Sequence, residues 1–403
     1  MSLYEKMVAM NGTPRFSART TWDLSETELT RAITARRAAG LPLVDLTASN
    51  PTRCGFVYDE AAILAALAQP EALIYDPNPR GMLAAREAVC RYYAGHGAAL
   101  EPGNVFLTPS TSEAYSYLFR VLCDPGDEVL IAQPSYPLFD FLAQIESVRL
   151  VPYPLFYDYG WHLDAEGLRS RITPRTRAIA LVHPNNPTGH FTKAAERREL
   201  EAICAGHGLA LIVDEVFLDY GLSANAELSF ACGEHPVLTF VLSGLSKIAA
   251  LPQMKAAWIA AFGPAALEDA LGRIEVVADT FLSMNAPVQC ALPVWLEGRS
   301  SLQGQILARV RRNLAALDRE FSGTAISRLE VEGGWYAVLR VPAIERDEEL
   351  AIRLVREYGV EVHPGHFFGF PDSGWLVLSL LAQEAESTDG YHSINLNFMQ
   401  IDA

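Results

Sequence analysis

Val237-Leu-Thr-Phe-Val-Leu-Ser-Gly-Leu-Ser-Lys247 governs how the rest of the chain is read: an almost wholly apolar run enters a Ser-Gly turn and ends on a lysine. Two upstream stretches have the same shape. Ala178-Ile-Ala-Leu-Val182 leads into His183-Pro-Asn-Asn-Pro-Thr-Gly189, and Leu209-Ala-Leu-Ile-Val213 leads into Asp214-Glu-Val-Phe217. Strands without polar alternation are covered on both faces, and helical stretches between them imply parallel neighbours. The expected fold class is therefore α/β, with a mostly parallel sheet sandwiched by helices. Ligands of such sheets bind beyond the carboxyl ends of the strands, where Asn186, Asp214 and Lys247 fall.

Working outward, a strand-loop-helix rhythm begins near Asn104. Val105-Phe-Leu107 reads as a strand and Pro109-Ser-Thr-Ser112 as a loop, and Ala114, Tyr117, Leu118, Val121 and Leu122 share one helical face. Asp124-Pro-Gly-Asp127 stops that helix, and Glu128-Val-Leu-Ile-Ala132 opens the next strand. After about Pro287 the texture changes. An arginine-rich helix (Ala308-Arg-Val-Arg-Arg312) precedes Gly333-Gly-Trp-Tyr-Ala-Val-Leu-Arg340, a helix near Glu348–Tyr358, and short strands around Val360–Val362 and Leu376–Leu380. At the other end, an arm precedes a helix whose capping box is Ser25-Glu-Thr-Glu28, with Ser25 as N-cap. Leu41–Leu46 reads as a short strand. The domain reading is 1–54 for the arm and part of a small domain, 55–290 for a large domain, and 291–403 for the rest of the small α+β domain, which is thus built from both chain ends.

At 403 residues, half of them hydrophobic, the chain is globular and long enough for more than one core. A net charge of −16 without a Lys/Arg cluster argues against a nucleic-acid partner. No apolar run reaches a membrane span, and Met1-Ser-Leu-Tyr-Glu-Lys6 lacks the order of a secretory leader. Six scattered cysteines and nine histidines show neither metal-ligand spacing nor a disulfide frame, so the expected setting is cytoplasmic and the expected metal content none.

A lysine, an acid and an Asn-Pro-Thr-Gly loop at three strand ends suit one cofactor, pyridoxal phosphate. Its aldehyde needs an amine, its pyridine nitrogen an acid and its phenolate a donor. Further motifs stand in a fixed order: Tyr75-Asp-Pro-Asn-Pro-Arg-Gly81, Thr108-Pro-Ser-Thr-Ser-Glu-Ala114, Asp124-Pro-Gly-Asp-Glu-Val129 and Gln133-Pro-Ser-Tyr-Pro137. With the three strand-end segments, they make the chain resemble the class I/II pyridoxal-phosphate-dependent aminotransferases of fold type I, from about Ser25 to about Glu386. The resemblance implies that Lys247 holds the cofactor covalently and shuttles the substrate proton. Asp214 pairs with the pyridine nitrogen, Asn186 donates to the phenolate, and Tyr136 stacks on the ring. Thr111, Ser112, Ser246 and Lys255 cradle the phosphate. Tyr75 reaches the phosphate of a neighbouring subunit, which implies a homodimer with shared active sites. The partners implied are a small-molecule amino donor and an oxo-acid acceptor.

Four departures from the family pattern bear on the substrate. Phe217 stands where a tyrosine usually donates to the phenolate. Lys255, in Gln253-Met-Lys-Ala-Ala257, replaces an arginine and gives up its bidentate fork. Ser49 replaces a glycine beside the substrate. Val377, in Leu376-Val-Leu-Ser-Leu380, replaces the arginine that clamps the substrate carboxylate, and an aliphatic side chain cannot do that. Arg53, in the Ser49-Asn-Pro-Thr-Arg53 loop that should face the substrate, and His366, in the His363-Pro-Gly-His366 loop before the altered strand, are the first candidate replacements. Alternatives on the same scaffold are a lyase or decarboxylase, or a non-catalytic protein that binds the cofactor.

Overall fold

The computed structural model describes residues 16–222 and 228–399. The segment read for a leader, and most of the arm, lie outside the described residues. Along the chain the strands are β1 (Val44–Asp45), β2 (Val105–Thr108), β3 (Glu128–Gln133), β4 (Arg149–Tyr157), β5 (Trp161–Leu163), β6 (Thr176–Val182) and β7 (Ala210–Asp214). They continue as β8 (Thr239–Gly244), β9 (Ala257–Phe262), β10 (Ser327–Arg328), β11 (Tyr336–Arg340), β12 (Val360–Glu361), β13 (His363–Pro364) and β14 (Trp375–Ser379).

Eight of them form one sheet in the order β2-β9-β8-β7-β6-β3-β4-β5. The run from β8 to β4 is parallel, while β9 and the edge strand β5 are antiparallel to their neighbours. The unbroken apolar runs have a simple cause: alternate residues feed two different cores. Leu211 and Val213 enter one cluster with Ile179 and Leu181, and Ala210 and Ile212 enter the other with Ala178 and Ala180. Each such fully buried Val, Leu or Ile contributes about 1.5–3 kcal/mol.

The second sheet, β10-β11-β14-β13, is small and antiparallel, and β1 pairs in parallel with β12, so both chain ends build this region. The sequence-based division at 290/291 falls inside the helix Ala286–Gly298, whose Val288, Ala291, Leu292 and Trp295 join a core of the large sheet. The next helix, Ser300–Glu320, instead buries Leu302, Ile306, Val310 and Leu317 against the small sheet. The first capping box needs correction. Thr27, not Ser25, is the N-cap of the helix Glu28–Ala38, because its hydroxyl accepts from the Thr30 N–H, while the Ser25 N–H is taken by Asp23. No helix among the described residues is long and apolar enough to cross a membrane.

Candidate active site

The ends of β6, β7 and β8 lie side by side, in the register Val182–Asp214–Leu242. The chain leaving β6 is folded by Asn185: its Nδ2 donates to Thr188 Oγ1 (2.9 Å) and to the Pro134 carbonyl (3.2 Å), and its own carbonyl accepts from Gly189 (2.8 Å). With Asn185 so engaged, Asn186 is presented to the cleft, buried yet without a side-chain hydrogen bond among the described residues. Gly189 is required there: its φ is +71°, and a Cβ would come within 2.6 Å of the Gly333 carbonyl. Charges fasten the same junction. His190 lies 3.0 Å from Glu196 and 3.6 Å from Glu332, and Lys193 bridges Glu332. Burial pushes the Glu332 carboxyl up, but hydrogen bonds from Lys193 and the Phe191 N–H, with the nearby His190, outweigh it and hold it down to about 2.

Asp214 ends β7 with its carboxyl buried. It accepts one backbone hydrogen bond, from Val216 N–H at 3.1 Å. Burial pushes it up to about 7, opposed by the Val216 N–H, the neighbouring Tyr115 hydroxyl and the charge of Lys247. Lys247 sits in a short helical turn after β8, and the Tyr220 hydroxyl donates to its carbonyl at 2.6 Å. Its Nζ lies 4.8 Å from the Trp335 ring centroid and 5.5 Å from that of Phe217. Burial lowers this amine to about 8, and Asp214 limits the fall. A lysine with that value has a substantial neutral fraction near pH 8, as a nucleophile or base requires.

A third corner forms where β2, β9 and β8 end together, in the register Thr108–Ala257–Gly244. Only a glycine fits position 244, because a Cβ would lie 2.8 Å from both the Ala256 carbonyl and the Ala257 Cβ. The close approach brings Ser246 and Lys255 to the N-terminus of the helix Thr111–Leu122. Ser110 caps that helix through the Glu113 N–H, and its carbonyl takes the Ala114 N–H, so the N–H groups of Thr111 and Ser112 remain for a ligand.

One cleft of about 250 Å³ unites these corners. Lys247, Asp214, Asn186, Thr111, Ser112, Ser246, Lys255, Tyr136 and Ser49 all line it. Two residues that the sequence suggested for the substrate side do not: Arg53 and His366 are exposed and outside the lining. Tyr75 is 81% exposed and borders a separate groove with Ser283 and Asn285. Sequence reasoning missed Tyr115 and Tyr336, which line the cleft, and Trp335 and Tyr220, which hold Lys247. It also missed His363, the residue directly opposite Val377 between β13 and β14. Burial holds the His363 imidazole below its ordinary value, against the pull of Asp45, so at neutral pH it is uncharged.

These residues fit pyridoxal phosphate. A buried carboxylate with a single hydrogen bond, an unengaged Asn186, a buried amine and two free N–H groups at a helix N-terminus match its charged nitrogen, phenolate, aldehyde and phosphate. Among the described residues no cluster of His, Cys, Asp or Glu could hold a metal ion.

The family model for aminotransferase class I and II matches residues 44–389. Alanine aminotransferase of Mycobacterium bovis is 30% identical over 354 residues, covering 83% of this chain and 80% of that protein. Glutamate-pyruvate aminotransferase AlaA of Escherichia coli K12 is 28% identical over 347 residues, covering 82% and 84%. Among solved structures, the alanine aminotransferase of Pyrococcus furiosus superposes with a TM-score of 0.87 at 22% identity, over 96% of this chain and all of that one. The chain belongs to the class I and II aminotransferases, enzymes of the pyridoxal-phosphate-dependent fold type I.

Proposed function

We propose that this aminotransferase moves an amino group between a small amino compound and a 2-oxo acid in a pocket that lacks the usual guanidinium clamp. One observation carries the reading: an aliphatic residue, Val377, is fully buried on the face of β14 that it shares with Ser379, the cross-strand partner of cleft-lining Tyr336. The register supports that orientation. Tyr336, which lines the cleft, stands opposite Ser379, and Val377 lies two residues along the same strand, hence on the same face. In place of the guanidinium the pocket offers two hydroxyls. Tyr336 lies beside Ser49, whose hydroxyl supports it, and burial still pushes the Tyr336 phenol up to about 12. Hydroxyls suit an uncharged amide or alcohol better than a carboxylate, which pays heavily for burial without a cation.

The residues divide the work as follows. Bound pyridoxal phosphate supplies an electron sink that makes the hydrogen on the amine-bearing carbon acidic. Lys247 would hold the cofactor through its aldehyde, and its Nζ is the group that would take up and return that proton. Asp214 keeps a positive charge on the ring nitrogen, Asn186 donates to the phenolate, and Tyr136 covers the ring. Thr111, Ser112, Ser246 and Lys255 hold the phosphate, with Tyr75 of the partner subunit completing the cradle in a homodimer. Six free thiols accord with a cytoplasmic setting.

The test is a half-reaction. The yellow holoenzyme is mixed with amino acids and with their amides, alcohols and decarboxylated amines, and conversion to the pyridoxamine form is followed. The uncharged compounds should convert with the higher efficiency. Alanine or glutamate converting as well as their uncharged counterparts would refute the substrate reading while leaving the transaminase intact.

A further inference from the structure

Tyr115 is the fifth residue of the helix Thr111–Leu122, fully buried, with its ring edge-on to Phe139 at 4.9 Å. It lines the cleft, yet its hydroxyl has no well-formed hydrogen bond. A buried hydroxyl without a partner is costly, and a fold that keeps one has either a ligand or a neighbour for it. The neighbour is Asp214. The Val216 N–H engages Oδ1 of that carboxyl, which leaves it capacity to accept from the neighbouring Tyr115 hydroxyl.

The other groups that face Asp214 do not satisfy it. Lys247, from the turn after β8, contributes charge but no hydrogen bond. Tyr93, from the helix Leu83–Gly95, feels the Asp214 charge but makes no hydrogen bond to it; its hydroxyl's partner among the described residues is Trp258 Nε1, at 3.2 Å. Tyr115 is therefore the side chain able to donate to the carboxylate while a positive ring nitrogen occupies the remaining lone pair.

We propose that Tyr115 is a positioning residue for Asp214: its O–H donates to the carboxylate and holds it ionised where a protonated ring nitrogen docks. The inference rests on the cofactor reading above and adds to it a residue that touches neither substrate nor reacting atoms. It carries a double consequence. In the cofactor-free protein the poorly aligned hydroxyl adds little to the packing, which the buried ring supplies. In the loaded protein it strengthens the acid that grips the cofactor.

The experiment compares the full-length parent with Tyr115→Phe, using pyridoxal phosphate itself as the probe. Dissociation constants are measured by equilibrium dialysis from about pH 6 to about pH 9, and melting of the cofactor-free proteins is measured beside them. The donor lowers the proton affinity of Asp214, so its loss should weaken cofactor binding most at low pH. The expected result is binding at least roughly tenfold weaker near pH 6, a gap that closes as pH rises toward 9, and cofactor-free melting that is unchanged or higher. Equal affinity at every pH, a constant factor across the range, or a drop in cofactor-free melting would each overturn the proposal in favour of simple packing. A parent that takes up no pyridoxal phosphate would overturn the cofactor reading, and the role of Tyr115 with it.

Discussion

Replacing Val377 by arginine should restore recognition of ordinary amino acids, and the size of the gain can be worked from the pocket. Val377 pairs across strands with Val338 and His363, neither of which offers a positive charge at neutral pH. Among the residues lining the cleft, the only cations are Lys247 and Lys255, and both are committed to the cofactor in the proposed mechanism. A bidentate guanidinium would add two charge-assisted hydrogen bonds to a substrate carboxylate. At about 1.5–3 kcal/mol each, they amount to about 3–6 kcal/mol, or roughly 10²- to 10⁴-fold in kcat/KM. A cost accompanies the gain, since an unpaired guanidinium in a fully buried position destabilises the substrate-free protein by about 3 kcal/mol or more. Val377→Arg should thus melt earlier than the parent, recover on adding a 2-oxo acid, and raise kcat/KM for alanine and glutamate while leaving an amino amide unimproved. The assay is a pair of specificity constants, amino acid against amide, in both proteins. An unchanged ratio, with the variant folded and holding cofactor, would refute the reasoning and mean that another cation already holds the carboxylate.

Three further outcomes follow from the same geometry. Borohydride reduction and peptide mapping should find the pyridoxyl group on Lys247, and label on another lysine would end the assignment. Phe217 packs edge-on to Trp335 with Lys247 Nζ above it, so a para-hydroxyl there would donate toward the cofactor phenolate; the visible spectrum of the bound cofactor should therefore titrate at higher pH in the parent than in Phe217→Tyr, and coincident titrations would count against the missing donor. Sedimentation of the holoenzyme should show a dimer, and Tyr75→Ala should weaken cofactor binding without altering the spectrum of the bound form, whereas a monomer of full cofactor affinity would exclude a shared site.

The central sheet and the three corners of the cleft are legible in the sequence because each is local: an apolar run sets the strand, and the residue after it sets the chemistry. Asn186, Asp214 and Lys247 each sit at or just beyond the end of their own strand, so strand order alone brings them together. What stays hidden depends on pairing between distant segments. Tyr336 faces the cleft because β11 pairs with β14, and His363 opposes Val377 because β13 pairs with β14, facts that no spacing rule encodes. His366 lies in the right loop, but three residues of offset put it on the surface. Tyr115 is legible only as one more large residue on a helix, because its distinction is a carboxyl almost a hundred residues away. The N-cap differs for another reason: Ser25 and Thr27 both carry hydroxyls before the same helix, and Asp23 decides between them by engaging the Ser25 amide.

In the proposed reading, the lack of a guanidinium clamp also constrains the second half of the reaction. A transaminase uses one pocket twice, first for the amino donor and then for the oxo acceptor, so Val377 affects both. The clamp holds a carboxylate in ground state and transition state alike, and losing such uniform binding raises KM while leaving kcat nearly unchanged. An oxo acid should therefore act as an acceptor with a high KM and an undiminished kcat, held by the Ser49 and Tyr336 hydroxyls. Val377→Arg should lower the KM of donor and acceptor together. Tyr336→Phe should raise both, because it removes a donor that each visitor uses. Steady-state kinetics in which Tyr336→Phe moves the two constants independently would show that donor and acceptor are gripped by different residues, and the idea of a single uncharged clamp would have to be given up.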